Sequence, residues 1–389
     1  MLSYTLGKGF DVLKKNKAIF VPFIVLGIIS VLSFLLIAKP VFEFTSQSSY
    51  SSTAFYTTSA GGYDSYFFKK FADYMLLIIV WATFLSFLAV LANVAGLRAV
   101  KDYLRGETTK ISDMVKTALT KGFVAIFAVL AANILFFLPG IIGMLLYLFA
   151  IGSIASTDSY STMNLGSAAG MMLIAFIMFI AQAIILLAFG HYILSKKFRK
   201  FYTTGIIGAI ILLILGIATG FISPVLSLIF LILFFILFIV ISFALVFITY
   251  IVISAITYIL PSVIVLNDNI NVTDAIKKTL NFTKDNTANF CLLLVIYIVI
   301  MMAASIPSFM FSFANAMHPS FSLYLFAEIF TIVLNIFISP FILSVFALAY
   351  AFSLMKEKES EKEDKGITMA EEIKSGQNSG LSGGLDNVR

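Results

Sequence analysis

From Val225 to Leu266 the chain carries no charged side chain. As one straight helix this run would be about 60 Å long at 1.5 Å per residue, roughly twice the ~30 Å hydrocarbon thickness of a bilayer. In hydrocarbon only a helix or a closed barrel pairs every backbone N–H and C=O group internally. Two arrangements satisfy the run: one helix that projects past the bilayer, or two spans. Other apolar runs cover about 18–38, 71–97, 123–153, 168–194, 204–222, 289–315 and 321–354. Composition agrees, with 60% apolar and 12% charged residues against about 25% charged in soluble domains. The expected fold class is all-α: a polytopic helical membrane bundle of about eight transmembrane helices over residues 1–355, with short cytoplasmic amphipathic helices. The Glu-, Lys-, Gly- and Ser-rich segment 356–389 is expected to be a disordered cytoplasmic tail, and 39–70, rich in Ser, Thr and Tyr, an irregular exposed stretch.

Charge placement suggests orientation. Outside the tail there are 20 Lys and Arg residues, and 17 of them lie in 1–17, 98–121, 195–200 and 267–288. Eight spans with both termini cytoplasmic put all of these pieces inside, as the positive-inside rule requires. The first apolar run follows Lys14, Lys15 and Lys17 but exceeds a secretory core and lacks a small-x-small site, so an uncleaved first helix in the cell membrane is expected. A nine-span arrangement, with 225–266 divided, would turn 267–288 outward, where three lysines and three aspartates leave charge nearly uninformative.

Several pieces at the expected cytoplasmic side look alike. Residues 1–17 space Leu2, Leu6, Phe10 and Leu13 as an amphipathic helix. Leu97–Leu119 lies over Tyr258–Leu280 without a gap, bringing Ser112-Asp113-Met114-Val115-Lys116 onto Thr273-Asp274-Ala275-Ile276-Lys277. Asp11-Val12-Leu13-Lys14-Lys15 is a partial third copy. Repeat units are therefore expected to start near residues 11, 113 and 274, with Ser112 and Thr273 as helix caps and Asp113 and Asp274 in the positive field of the first turn. A parallel repeat places equivalent pieces on one side and favours eight spans. Ile259–Leu266, apolar where its counterpart is charged, is expected to pack against the 98–121 segment or return into the bilayer.

Leu260-Pro261, the turn at Asn267–Asn271, Asp274-Ala275-Ile276-Lys277-Lys278 and Thr283-Lys284-Asp285-Asn286 together resemble the membrane-domain superfamily named after glycerophosphoryl diester phosphodiesterases, as does Val12–Lys17 before the first span. The resemblance implies a membrane fold. The family's catalytic phosphodiesterase, where present, is a separate soluble barrel that this chain lacks, so no catalytic residue is implied.

Chemistry-bearing residues are few. A single cysteine, Cys291, and two histidines, His191 and His318, leave no zinc or haem set, so no metal or cofactor is expected. Gly380-Leu381-Ser382-Gly383-Gly384 matches a hydrolase pattern but sits in the tail, away from any strand-to-helix elbow. No catalytic site is recognised and no enzyme is expected. Glu328 stands inside the last span, where a carboxyl is a functional hypothesis by default. Asn335, Gln182 and Asn133 are its candidate neighbours, or else helix-to-helix bonds. Gly216 and Gly220 offer a close helix contact. Lys196, Lys197, Arg199, Lys200, Lys277 and Lys278 are candidate contacts for lipid headgroups, the expected partners, together with other membrane proteins or a second copy. The +6 charge flanks apolar runs instead of forming a stripe, so nucleic acid is not expected. The functional expectation is a membrane-organising scaffold that engages lipid or partner proteins. The alternative is a transporter of lipid or small solute with Glu328 in its pathway, suggested by the repeat and by Pro139, Pro307 and Pro340 within spans.

Overall fold

The computed structural model describes residues 2–54, 63–155, 162–193, 196–220, 223–267, 269–317 and 320–379, with side chains described over a narrower set. The described chain is helical with no strands: an all-α polytopic membrane bundle. Its elements are α1 (Leu2–Lys15), a 3₁₀ turn (Lys17–Ile19), α2 (Phe20–Ala54), α3 (Tyr63–Leu104), α4 (Ile111–Ala155), α5 (Thr162–Ile193) and α6 (Lys196–Gly220). There follow α7 (Pro224–Ser254), a π-helical turn (Ala255–Ile259), α8 (Leu260–Leu266), α9 (Val272–Asp285), α10 (Thr287–Met317) and α11 (Phe321–Ser379). Seven helices are long and apolar enough to cross a membrane, and a shorter apolar helix, Thr203–Thr219, pairs with the fifth of them.

The long uncharged run is one helical rod from Pro224 to Leu266, not two spans. Ser223 starts it by accepting from the Leu226 N–H, and Pro224 occupies the first turn, where a missing N–H costs nothing. Pro261 cannot donate to the carbonyl four residues back, and the ladder widens just before it: Leu260 N–H reaches the Ala255 carbonyl, five residues away. Tyr258 in this turn stacks on Phe346 of α11 with ring centroids 5.1 Å apart. Beyond the turn, Leu260–Val265 are all buried, against the ends of α3 and α4. This is the packing expected of Ile259–Leu266, and it puts the 267–271 turn at the same end as the 105–110 turn.

The last span is the central one. In its most apolar 18 residues 56% are buried, compared with 17–22% in five other spans and 0% in Pro224–Leu266. Small residues allow this: from Ile342 to Ala351 α11 is buried, with Ser344, Ala347, Ala349 and Ala351 among its positions. Amphipathic α1 lies on α11 and α3, burying Thr5, Gly9 and Val12. Gly9 is needed there, because a Cβ would come 2.7 Å from Val345. Amphipathic α9 buries Ala275, Thr279, Phe282 and Thr283. The α6–α7 hairpin touches the bundle lightly, and Gly216 serves it internally: the Ser227 hydroxyl donates to the Gly216 carbonyl at 2.7 Å.

Several expectations are corrected. Helices α4 and α9 begin at Ile111 and Val272, one residue before Ser112 and Thr273, so those residues sit inside the helix; the N-cap of α9 is Asn271, without a side-chain bond. Asp113 and Asp274 do lie in first turns. Asp11 lies near the end of α1, not at a start, because the amphipathic pattern already propagates from Leu2. Helix α2 runs to Ala54 and α3 begins at Tyr63, where an irregular stretch was expected; between Val41 and Ala54 no Pro or Gly interrupts the ladder. Likewise α11 continues past Lys356 to Ser379 through residues rich in good helix formers. Residues 380–389, including Ser382, lie outside the described residues, as does His318.

Pro139 lies inside α4. The carboxamide of Gln182 meets that helix beside the proline: Nε2 donates to the Phe136 carbonyl at 2.6 Å, and the Gly140 N–H donates to Oε1 at 3.0 Å. One side chain thus ties α5 to the backbone on both sides of Pro139. We predict that Gln182→Leu, which strands both groups in hydrocarbon, destabilises the protein by about 1–2 kcal/mol, read as a lowered thermal midpoint in detergent; an unchanged midpoint would show the bridge to be dispensable.

Candidate functional site

Two polar regions stand out. The first is a base at the end of the bundle where α3, α4, α8 and α11 converge. Helix α8 ends there, inside the protein, leaving carbonyls that have no partner along the helix. Lys101 of α3 donates to the Val265 carbonyl at 3.2 Å. Lys121 of α4 donates to the carbonyls of Ile264, Val265 and Asn267 at 3.1, 3.2 and 2.9 Å. Positive charge at the negative end of a helix is favourable, and more so away from water. Asn267 adds a second set of ties, its amide donating to Val263 O and to the Tyr350 hydroxyl of α11, while Lys278 donates to its side-chain oxygen. Asp102, 2% exposed, is held by Arg98 Nε at 2.9 Å. Asn16 joins α1 to this base through the Ala99 carbonyl and Thr109. The wiring is dense, with one buried oxygen, Asp102 Oδ1, that accepts no hydrogen bond and has only the Arg98 ion pair; this region fixes structure.

The second region is a cleft of about 400 Å³ between α2, α3 and α11. Four uncharged polar side chains face it: Ser30 from α2, Ser86 from α3, and Asn335 and Ser339 from α11. Gly27 brings α2 close to α11; a Cβ there would collide with Ile336. Asn335 has no hydrogen bond among the described residues, whereas Asn133, in a comparable span, donates to its own Val129 carbonyl at 2.9 Å. On α11, Tyr324, Glu328, Thr331, Asn335 and Ser339 fall within about 80° of arc at 3.6 residues per turn. They form a polar stripe about 22 Å long. Thr331 hydrogen-bonds Ser308 of α10, and Tyr324 packs on Phe34 of α2.

The four intramembrane residues singled out from sequence do not converge. Gln182 and Asn133 belong to the α5–α4 pair, each engaged with α4 backbone. Glu328 and Asn335 share the α11 stripe, with Glu328 on an exposed flank and only Asn335 lining the cleft. Of the headgroup candidates, Lys200, Lys277 and Lys278 are exposed, and the side chains of Lys196, Lys197 and Arg199 lie outside the described residues. Sequence reasoning missed Lys101 and Lys121, which look like ordinary flanking charges, and Ser30, Ser86 and Ser339. Asn335 and Ser339, four apart on one helix, were the available signal. Among the described residues no group of acidic, histidine and cysteine side chains is placed to hold a metal ion.

Comparison with protein families, with curated proteins and with solved structures gives no match for this chain. Fold and composition therefore define the class alone: a multi-pass integral membrane protein.

The two polar regions differ in what they resist. Lys121→Met should cost about 2 kcal/mol of stability by leaving the Ile264 and Asn267 carbonyls without their charged donor and Val265 with Lys101 alone, whereas Lys277→Met, on the exposed face of α9, should stay within about 0.5 kcal/mol. Thermal unfolding of both variants in the same detergent checks this, and equal midpoints would refute the assigned role of Lys121.

Proposed function

We propose that this protein is a non-enzymatic, lipid-engaging membrane scaffold, with both termini cytoplasmic and the basic base at the inner face. The observation that carries the reading is how α9 is held. Its apolar side is buried in the bundle, Lys284 lies over Tyr192 of α5 at 4.6 Å, and Lys277 and Lys278 face outward. A rigid helix thereby presents cations at the level of phospholipid headgroups. The excess of Lys and Arg at this end supports the orientation. Opposite these fixed parts, the α6–α7 hairpin leaves apolar surface to lipid or to a partner helix. The resemblance to phosphodiesterase-associated membrane domains supports the same reading, since it concerns the membrane part of that superfamily and carries no catalytic residue. Each basic residue near an anionic surface contributes about 1 kcal/mol. Lys277→Gln with Lys278→Gln is expected to weaken anionic-lipid retention by roughly 30-fold, measured by native mass spectrometry. Absence of both bound lipid and any crosslinked partner in the wild type would remove the scaffold reading.

A second reading, passage of a lipid or small solute, is favoured by the polar stripe on α11. In that case Glu328→Gln reduces flux in proteoliposomes severalfold, and unchanged flux takes Glu328 out of the pathway.

A further inference from the structure

We infer that the cleft between α2, α3 and α11 is a binding site for an uncharged, hydroxyl-bearing membrane lipid of the diacylglycerol class. This rests on the lipid-engaging reading but concerns a different part of the molecule from the basic face of α9.

Depth comes first. Gly27, at the cleft, lies about 15 Å along α2 from Lys17 at 1.5 Å per residue, half of a ~30 Å hydrocarbon core. A phosphate or ammonium group does not rest at that depth without a charged partner, and no charged residue lines the cleft. The groups that do line it, the hydroxyls of Ser30, Ser86 and Ser339 and the carboxamide of Asn335, are neutral donors and acceptors. They match a ligand that offers a hydroxyl and ester carbonyls.

Satisfaction comes second. Polar side chains in a membrane span generally bond to their own helix or to a neighbour, as Asn133 and Thr331 do. The Ser86 hydroxyl also returns to its helix, at the Ala82 carbonyl. Asn335 makes no such bond among the described residues and instead faces a space of about 400 Å³, within the range of about 300–1,000 Å³ usual for ligand pockets. A bound hydroxyl or ester would supply what the carboxamide lacks.

The apolar surroundings favour a lipid over a small solute. Leu26 lines both this cleft and a second, almost wholly apolar groove of about 240 Å³ between α2, α3 and the start of α4. That groove is bordered by Val25, Leu88, Met114 and Val115. The ligand's polar waist would occupy the serine- and asparagine-lined cleft, with an acyl chain continuing along Leu26 into the groove.

The test uses full-length protein reconstituted in nanodiscs containing phosphatidylethanolamine, phosphatidylglycerol and a diazirine-bearing diacylglycerol. Photolabelling is expected within 23–30, 85–89 and 332–339, falling at least tenfold in Asn335→Leu and unchanged in Asn133→Leu. A second measurement guards against misfolding. With Cys291→Ser as background, Ser86→Cys is alkylated by N-ethylmaleimide, and diacylglycerol is expected to slow that reaction at least fivefold. Labelling elsewhere in the chain, equal labelling of both Asn variants, or no protection of Ser86→Cys overturns the inference. Retention of phosphatidylglycerol without any diacylglycerol labelling overturns this site while sparing the lipid-engaging reading. Retention of no lipid of either kind overturns both.

Discussion

A helix that stops inside a membrane protein leaves its last carbonyls facing neither water nor the next turn. Here that problem arises at Leu266, and two lysines from different helices resolve it. The ammonium groups of Lys101 and Lys121 are themselves expensive to remove from water, so each side of the contact makes the other tolerable. Much follows from this arrangement. Helices α3 and α4 must deliver their lysines to one point, which fixes how the 98–121 segment meets α8. Asn267 must lie within reach of Tyr350, which brings in α11. Helix α9, starting just beyond, then falls across α4 and α5. Breaking this contact would loosen five elements together, whereas α6 and the first turns of α7, at the far end of the same rod, would keep their mutual packing.

Three of the carboxamides in the spans show how a nonaqueous solvent sorts polar side chains. Gln182 bonds the Phe136 carbonyl and the Gly140 N–H on either side of Pro139, and so splints α4's backbone from α5. Asn133 folds back on the preceding turn. Asn335 does neither, and it is the one that lines a cavity with hydroxyls from three helices. Polarity within a span therefore does not identify a site; what identifies it is polarity that the protein itself leaves unanswered. By that measure Glu328, on an exposed flank of α11, belongs to the stripe that leads to the cleft and not to the cleft's wall.

The fold class and the multi-pass character were legible because apolar run length and composition dictate them in hydrocarbon. Helices α4 and α9 begin at Ile111 and Val272, each with an Asp in its first turn, Asp113 and Asp274. Legibility ended where a residue's meaning depends on a distant partner. Lys101 and Lys121 carry the same local signature as Lys116 or Lys110, and only the arrival of α8 distinguishes them. Nothing near Pro261 announces a π-helical turn in place of a break, because Tyr258's stacking on Phe346 helps decide it. Gln182 was a candidate neighbour of Glu328 or a helix-to-helix bond; it is the latter, bonded to α4 backbone, while Glu328 lies on an exposed flank of α11.

The docking of α1 on α11 has a consequence for how the molecule is made. The face of α1 that Thr5, Gly9 and Val12 form leaves the ribosome well before Phe341 and Val345, against which it rests. Asn16 finds Ala99 and Thr109 as soon as α3 and its turn are in place. The remaining wall waits for the final span. Assembly thus joins an early helix to a much later one, and a nascent chain halted before α11 leaves α1 without the wall that Phe341 and Val345 supply.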